Sequence, residues 1–205
     1  MKVIGLTGGI GSGKSVISNL LNVMGIPVYI ADTESKRLTE SSAVIREKLT
    51  QRFGADLYTN GKLNKALLAS IIFENEENRN YVNSVIHPIV RSDFEEWKAQ
   101  QISSPLVAIE TAILFESGFA GSVDVTVTIA APEDLRIRRT ELREGWSRAA
   151  IVSRIQSQLP EEEKIRRSDY VIYNDDRQAL IPQLEKLVAE TSTCFSLTFL
   201  SAWRL

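Results

Sequence analysis

The sequence has one cysteine, Cys194, and one histidine, His87, among its 205 residues. A lone thiol cannot close an internal disulfide, and without a Cys/His cluster there is no zinc-type metal centre to build. An excess of positive charge is also lacking. Lys and Arg number 24 against 26 Asp and Glu, a net charge of −2, which lacks the basic footprint of a nucleic-acid binder. Nowhere do about 18 apolar residues follow one another, so no transmembrane helix is expected. The first residues offer no signal-peptide core either, because the glycines and lysine from Gly8 to Lys14 interrupt the apolar run. These absences together lead to the expectation of a cytoplasmic globular protein, a monomer or weak homo-oligomer, that binds neither nucleic acid nor membrane.

What the chain does have is Gly8-Gly9-Ile10-Gly11-Ser12-Gly13-Lys14-Ser15 directly behind the apolar run Lys2 to Thr7 and ahead of Val16-Ile17-Ser18-Asn19-Leu20-Leu21. Gly8, Gly13, Lys14 and Ser15 match G-x-x-x-x-G-K-[ST], the phosphate-binding loop between a strand and a helix. In that pattern the backbone N–H groups curl toward phosphate oxygens, Lys14 reaches the β- and γ-phosphates, and Ser15 ligates Mg²⁺. The helix dipole adds positive charge at the same place. Gly9, Ile10, Gly11, Ser12, Gly13, Lys14, Ser15 and Val16 are therefore the nucleotide-binding candidates.

Short β-rich runs at Val3 to Leu6, Ile26 to Ile30, Leu106 to Ile109, Val123 to Ile129 and Tyr170 to Tyr173 alternate with longer helical stretches. The alternation predicts a three-layer α/β/α fold with a five-stranded, mostly parallel sheet, whose ligands bind beyond the C-terminal strand ends. An insertion of residues 33–104 is too long for a simple crossover, and reads either as a second-substrate domain or as helical decoration. The charged stretch of residues 133–167, broken at Gly145 and Pro160, is a candidate lid. This leaves residues 1–32 and 105–190 as the nucleotide-binding core. The tail, residues 191–205, alternates Phe195, Leu197 and Phe199 as on a strand face, with no readable role.

Asp32, at the end of the second strand, is either a general base for an acceptor hydroxyl or the N-cap of the helix beginning near Thr33. Glu110 ends the third strand, where a carboxylate can hold Mg²⁺ through water or simply be solvated. Phe115 and Glu116 either begin the following helix or line an acceptor cleft. Arg136, Arg139 and Arg143 share an i, i+3, i+7 spacing that makes one cationic stripe on a helix, suited to clamping phosphates or to complementing the helix dipole. Arg154, Arg166 and Arg167 extend the basic character. His87 precedes Pro88, which restricts the residue before it and often marks a helix boundary, so spacing alone favours a structural role.

Taken together, these motifs resemble the dephospho-coenzyme A kinase family over about residues 1–190. The likeness runs through Ile4 to Ser15, Ala31-Asp32, His87-Pro88, Leu114-Phe115-Glu116, Arg139 with Arg143, residues 154–158, Ser168-Asp169-Tyr170-Val171-Ile172 and Asn174. It implies ATP-dependent phosphorylation of the 3′-hydroxyl of dephospho-coenzyme A. Asp32, Lys14 and Arg139 then fall to catalysis, and Arg143 and Asn174 to the nucleotide. His87, Phe115, Lys65 and Arg154 fall to the acceptor, with Ser15 and Glu110 at Mg²⁺ and residues 33–104 as the coenzyme A subdomain. The chain departs from the family pattern at Ile30, where an acid is frequent, at Asn64-Lys65, where an arginine is frequent, and at Ala112, where proline is usual. Another P-loop nucleoside or nucleotide kinase shares the loop and lid. A GTP-dependent switch needs an Asn-Lys-x-Asp that Asn64-Lys65-Ala66-Leu67 does not supply.

Overall fold

The computed structural model describes residues 1–192; the alternating apolar tail from Cys194 to Trp203 lies outside them. The apolar runs form a five-stranded parallel sheet of β1 (Lys2–Thr7), β2 (Val28–Ile30), β5 (Leu106–Glu110), β6 (Val125–Ala130) and β7 (Tyr170–Tyr173). Their spatial order is β2-β5-β1-β6-β7. β1 lies in the centre, with Leu6 opposite Glu110 on one side and Val127 on the other. β5 is buried at every position and β1 at all but its first, so both faces of the central sheet are covered. That is why these runs are continuously apolar rather than alternating. The largest cluster joins Ile4, Leu6, Ala108, Val127 and Ile129 of the sheet to Ile17 and Leu21 of α1 (Lys14–Val23) and to Leu184 and Leu187 of α9 (Leu180–Thr191).

Two strands begin later than the apolar pattern predicts. Ile26 donates its N–H back to the Leu21 carbonyl at 2.9 Å, closing the end of α1, and pairing starts only at Pro27, whose carbonyl accepts from Ala108. β6 likewise starts at Val125 because the Asp124 carboxylate, rather than a strand carbonyl, takes the Val3 N–H at 2.7 Å. At the outer edge, the Gln183 side chain accepts the Tyr173 N–H and donates to the Tyr173 carbonyl. An amide thus stands in for a neighbouring strand there.

The described chain divides into two compact units, Ile30–Gln100 and the remainder. The first holds α2 (Ala31–Ser41), α3 (Ala43–Phe53), the hairpin β3 (Tyr58–Thr59) and β4 (Lys62–Leu63), α4 (Lys65–Glu74) and α5 (Glu76–Ala99). Ser42, Asn64 and Asn75 cap α3, α4 and α5 with side-chain oxygens. His87-Pro88 does not end a helix as the sequence suggested: Pro88 lies inside the 24-residue α5. Proline deletes only one backbone hydrogen bond, and Val82, Val85, Ile86, Val90 and Phe94 bury their side chains on both sides of it, which holds the helix together.

In the sheet unit, the charged stretch folds as α6 (Glu133–Glu144), α7 (Arg148–Gln156) and α8 (Glu161–Arg167). Acidic residues open α6 and α8, and basic ones close them, which complements the helix dipoles. The glycine-rich loop is seated on α6. A Cβ at Gly11, where φ is +75°, would lie 2.2 Å from the Arg136 carbonyl oxygen, and one at Gly9 would lie 2.1 Å from Arg136 Nη1. A side chain at Gly11 would meet backbone, which has little freedom to yield, while one at Gly9 would have to displace the Arg136 guanidinium.

Gly11→Ala is therefore expected to lower stability by about 2 kcal/mol or more, combining left-handed strain with a backbone clash. Gly25→Ala shares the positive φ (+81°) but meets nothing within 4 Å. It should cost only about 1–2 kcal/mol, the conformational part. Thermal unfolding of both variants checks this, and equal losses would contradict the close seat.

Candidate active site

Thr7, the last residue of β1, is wholly buried, and the loop that follows turns over the start of α1. Gly13 stands at the N-cap position in a left-handed conformation, with no side chain to cap the helix. The first N–H groups of α1 are thereby left as donors for a ligand rather than for a side-chain oxygen. Lys14 Nζ folds over the loop and donates to the carbonyls of Gly8 (2.9 Å) and Gly9 (3.3 Å). Ser15 and Val16 are exposed on the first turn, while Ser12 Oγ is buried without a hydrogen-bond partner.

Glu110 ends β5 as expected, but it is not a solvated carboxylate. It is 7 % exposed, and Oε2 accepts from Ser18 Oγ at 2.5 Å. Ser18 lies three residues after Ser15, on the same face of α1, so the structure brings Glu110 to the face that carries Ser15. Among the described residues, no group of three or more His, Cys, Asp or Glu side chains gathers as a metal cluster.

The arginines do not share one stripe. Arg136 is buried beneath the loop, 3.5 Å from Glu161 and 3.9 Å from Glu133. Neither Arg136 Nε nor Glu161 Oε2 has a hydrogen-bond partner, so the closer contact is one of charge alone. Burial raises the Glu161 carboxyl above its usual range, and Arg136 only partly opposes it. Arg139 turns to the loop after β7, donating from Nη1 to the Asn174 carbonyl (3.0 Å) and from Nη2 to Asp176 Oδ1 (2.5 Å). Arg143 is exposed and pairs with its neighbour Glu144 at 2.6 Å. A spacing of i, i+3, i+7 fixes only the backbone positions, within about a sixth of the helix circumference, and these three long side chains part toward different neighbours.

Asn174 does meet the loop: its Nδ2 donates to the Ser12 carbonyl at 2.8 Å, and it sits where a Cβ on Gly13 would fall. Lys14 and Asn174 each contact the loop, and Arg139 reaches it through Asn174. Arg154 does not join them, since its guanidinium lies over the Trp146 ring at 3.8 Å from the centroid. Arg166 and Arg167 pair with Glu163, whose carboxyl they hold down at about 2. Phe115 lies in a run of turns rather than at a helix start; the next helical turn is the 3₁₀ segment Phe119–Ser122.

Three contacts to the loop and its surroundings escaped sequence reasoning. Gln158 Oε1 accepts the Ile10 N–H at 3.0 Å, Arg136 underlies Gly9, and Lys164 is a fully buried lysine whose Nζ donates to the Ala112 carbonyl at 2.5 Å. Gln158 had a signal in the motif of residues 154–158, and Arg136 had one in its helical spacing. Lys164 had none, being one charge among many.

The remaining candidates belong to the other unit. Asp32 is an exposed residue of the first turn of α2, whose N-cap is Ile30, so it does not cap that helix. Lys65 opens α4 and pairs with Glu40 at 2.7 Å on the surface. His87 is half-buried, and burial first, then the nearby positive charge of Arg91, lowers its pKa below the ordinary 6.5. Asp32 and His87 therefore stand on α2 and α5, which pack together in this unit.

The family model described as dephospho-CoA kinase (CoaE) matches residues 2–179. A dephospho-CoA kinase of Bacteroides fragilis is 46 % identical over 186 residues, 91 % of each chain. The solved structure of TT1252 from Thermus thermophilus superposes with a TM-score of 0.84 at 34 % identity, covering 94 % of this chain and 98 % of that one. That of a dephospho-CoA kinase from Campylobacter jejuni gives 0.68 at 26 %, over the same shares.

An NMR titration of His87 should show a midpoint below 6.5. The unfolded chain then binds the proton more readily, so the histidine's contribution to stability is present above about pH 6.5 and is lost as pH falls through the folded pKa. His87→Gln should flatten that part of the stability profile. A midpoint at or above 6.5 would contradict the burial.

Proposed function

The chain belongs to the dephospho-CoA kinase family, and we infer that it transfers the γ-phosphoryl group of ATP to the 3′-hydroxyl of dephospho-CoA, the final step of coenzyme A synthesis. It is a kinase that uses ATP. The observation that carries the reading is the family match over residues 2–179, which includes the loop, the strand ends and α6 to α8. No helix among the described residues is long and apolar enough to cross a membrane.

Phosphoryl transfer asks the protein mainly to position two oxygens and to neutralise charge on the moving group. The donor side falls to Gly9 through Val16: backbone N–H groups and the α1 N-terminus hold the phosphates, and Lys14, already centred over the loop, meets the β- and γ-phosphates. Arg139 and Asn174, joined to each other and to Ser12, serve the nucleotide and the transferring phosphoryl group, with Arg143 beyond them. Asp32 accepts the proton of the acceptor hydroxyl as the new P–O bond forms. The unit of residues 30–100 is the acceptor domain, in which His87 acts as a neutral hydrogen-bonding group and Lys65 supplies charge. Phe115 and Arg154 complete the acceptor side from the sheet unit.

The donor set fits Mg²⁺ in the usual phosphoryl-transfer manner, with few protein ligands and most of the coordination left to phosphates and water. Ser15 would hold it through its hydroxyl and Glu110 through water. When bound, the ion neutralises charge on the phosphate oxygens.

Release of ADP should be stimulated by dephospho-CoA and not by nucleosides or pantothenate, and the reverse selectivity would overturn the acceptor. Asp32→Asn should lower kcat by about 10²–10⁴ while ATP still binds; a rate near wild type removes Asp32 from the base role. Lys14→Ala should weaken both ATP binding and kcat, measured by calorimetry and coupled assay, and unchanged constants would remove the loop from catalysis.

A further inference from the structure

We propose that Lys164 and Glu116 form a positioning pair that locks the segment 112–116 against the phosphate loop, and so sets where the acceptor meets the γ-phosphoryl group. The pair goes beyond the family's loop and lid but rests on the kinase reading for its consequence.

Lys164, on α8, is 0 % exposed. Its ammonium donates to the Ala112 carbonyl at 2.5 Å and lies 3.1 Å from Glu116 Oε1. The same carbonyl accepts from Thr7 Oγ1 at 3.3 Å, and Thr7 is the residue directly before Gly8. Glu116 Oε1 also accepts the Leu159 N–H at 3.1 Å, while the adjacent Gln158 holds the Ile10 N–H of the loop. One stretch, residues 158–164, therefore grips the loop at Ile10 and the segment 112–116 at both of its ends. Phe115 lies between the two gripped positions.

The segment needs such a grip because it has no helix or strand of its own; it runs through turns from Ala112 to Gly118. Burying an ammonium is costly, and an apolar side chain of similar length fills the same space without that cost. What methionine there could not supply is a donor to a carbonyl and a partner for a carboxylate at one point. The buried charge is explained by the geometry it enforces between two pieces of the site.

The test compares Lys164→Met, Lys164→Arg and Glu116→Gln in the full chain. Lys164→Met and Glu116→Gln should each lower kcat/KM for dephospho-CoA by roughly tenfold or more, the scale of a misplaced reactant. ATP affinity by calorimetry should stay within about threefold, and the double variant should be little worse than the poorer single one, as for coupled residues. Lys164→Arg should restore part of the loss. Hydrogen exchange should quicken at amides 111–117 in Lys164→Met and stay unchanged in β1. Unchanged exchange at 111–117, or a loss of ATP affinity in step with kcat/KM, would overturn the pair. Exchange and ATP binding do not depend on the acceptor, so failure of dephospho-CoA as substrate would refute the kinase reading separately. Glu116, at the partly exposed end of the pair, keeps the test open should Lys164→Met not fold.

Discussion

The close seat of the glycine-rich loop on its surroundings is the constraint on which the site depends. Gly9 and Gly11 press on Arg136 of α6, Gly13 presses on Asn174 after β7, and Gly8 comes within reach of the Ile129 carbonyl of β6. At Gly8 and Gly11 a side chain would strike backbone carbonyls, and at Gly9 and Gly13 it would displace the side chains of Arg136 and Asn174. The glycines thus do two things at once: they permit the left-handed turns that aim N–H groups inward, and they let α6, β6 and the segment after β7 pack closely against the loop. A loop held from outside does not have to be ordered by its ligand, which lowers the entropic cost of binding.

Around that seat the charges are divided by task rather than pooled. Arg136 is spent inside the fold on Glu161 and on the loop. Arg139 is oriented through Asn174 and Asp176, the first of which touches the loop. Arg143, Arg166 and Arg167 answer nearby carboxylates on the surface, where solvent screens such pairs and they add little to stability. Lys164, wholly buried, does the opposite. It gives up hydration to hold two backbone regions in register.

Much of this was legible in the sequence, because some local patterns have few physical solutions. A G-x-x-x-x-G-K-S string between an apolar run and a helix-forming run can hardly be anything but a strand, turn and helix around phosphate. The five apolar runs became the five strands of the sheet, one residue longer at several ends and shorter at the two starts where Ile26 and Asp124 found other partners. Other features depended on neighbours that sequence does not display. Pro88 sits within a helix because residues far along α5 are anchored by packing, and Glu110 is buried because Ser18 stands opposite it.

By itself, the sequence determined the phosphate loop, the alternation of strands and helices, and the order of motifs that the family shares, since each is a pattern of residues close together along the chain. Only the tertiary structure decided which arginine reaches the loop, that Gln158 and Asn174 hold it from either side, and that Lys164 closes on Ala112 and Glu116. Those are contacts between residues about 50 to 160 positions apart, or choices among side chains on one helix. Periodicity gives a side chain a face of its helix, but the partner that captures it is set by what folding brings to that face.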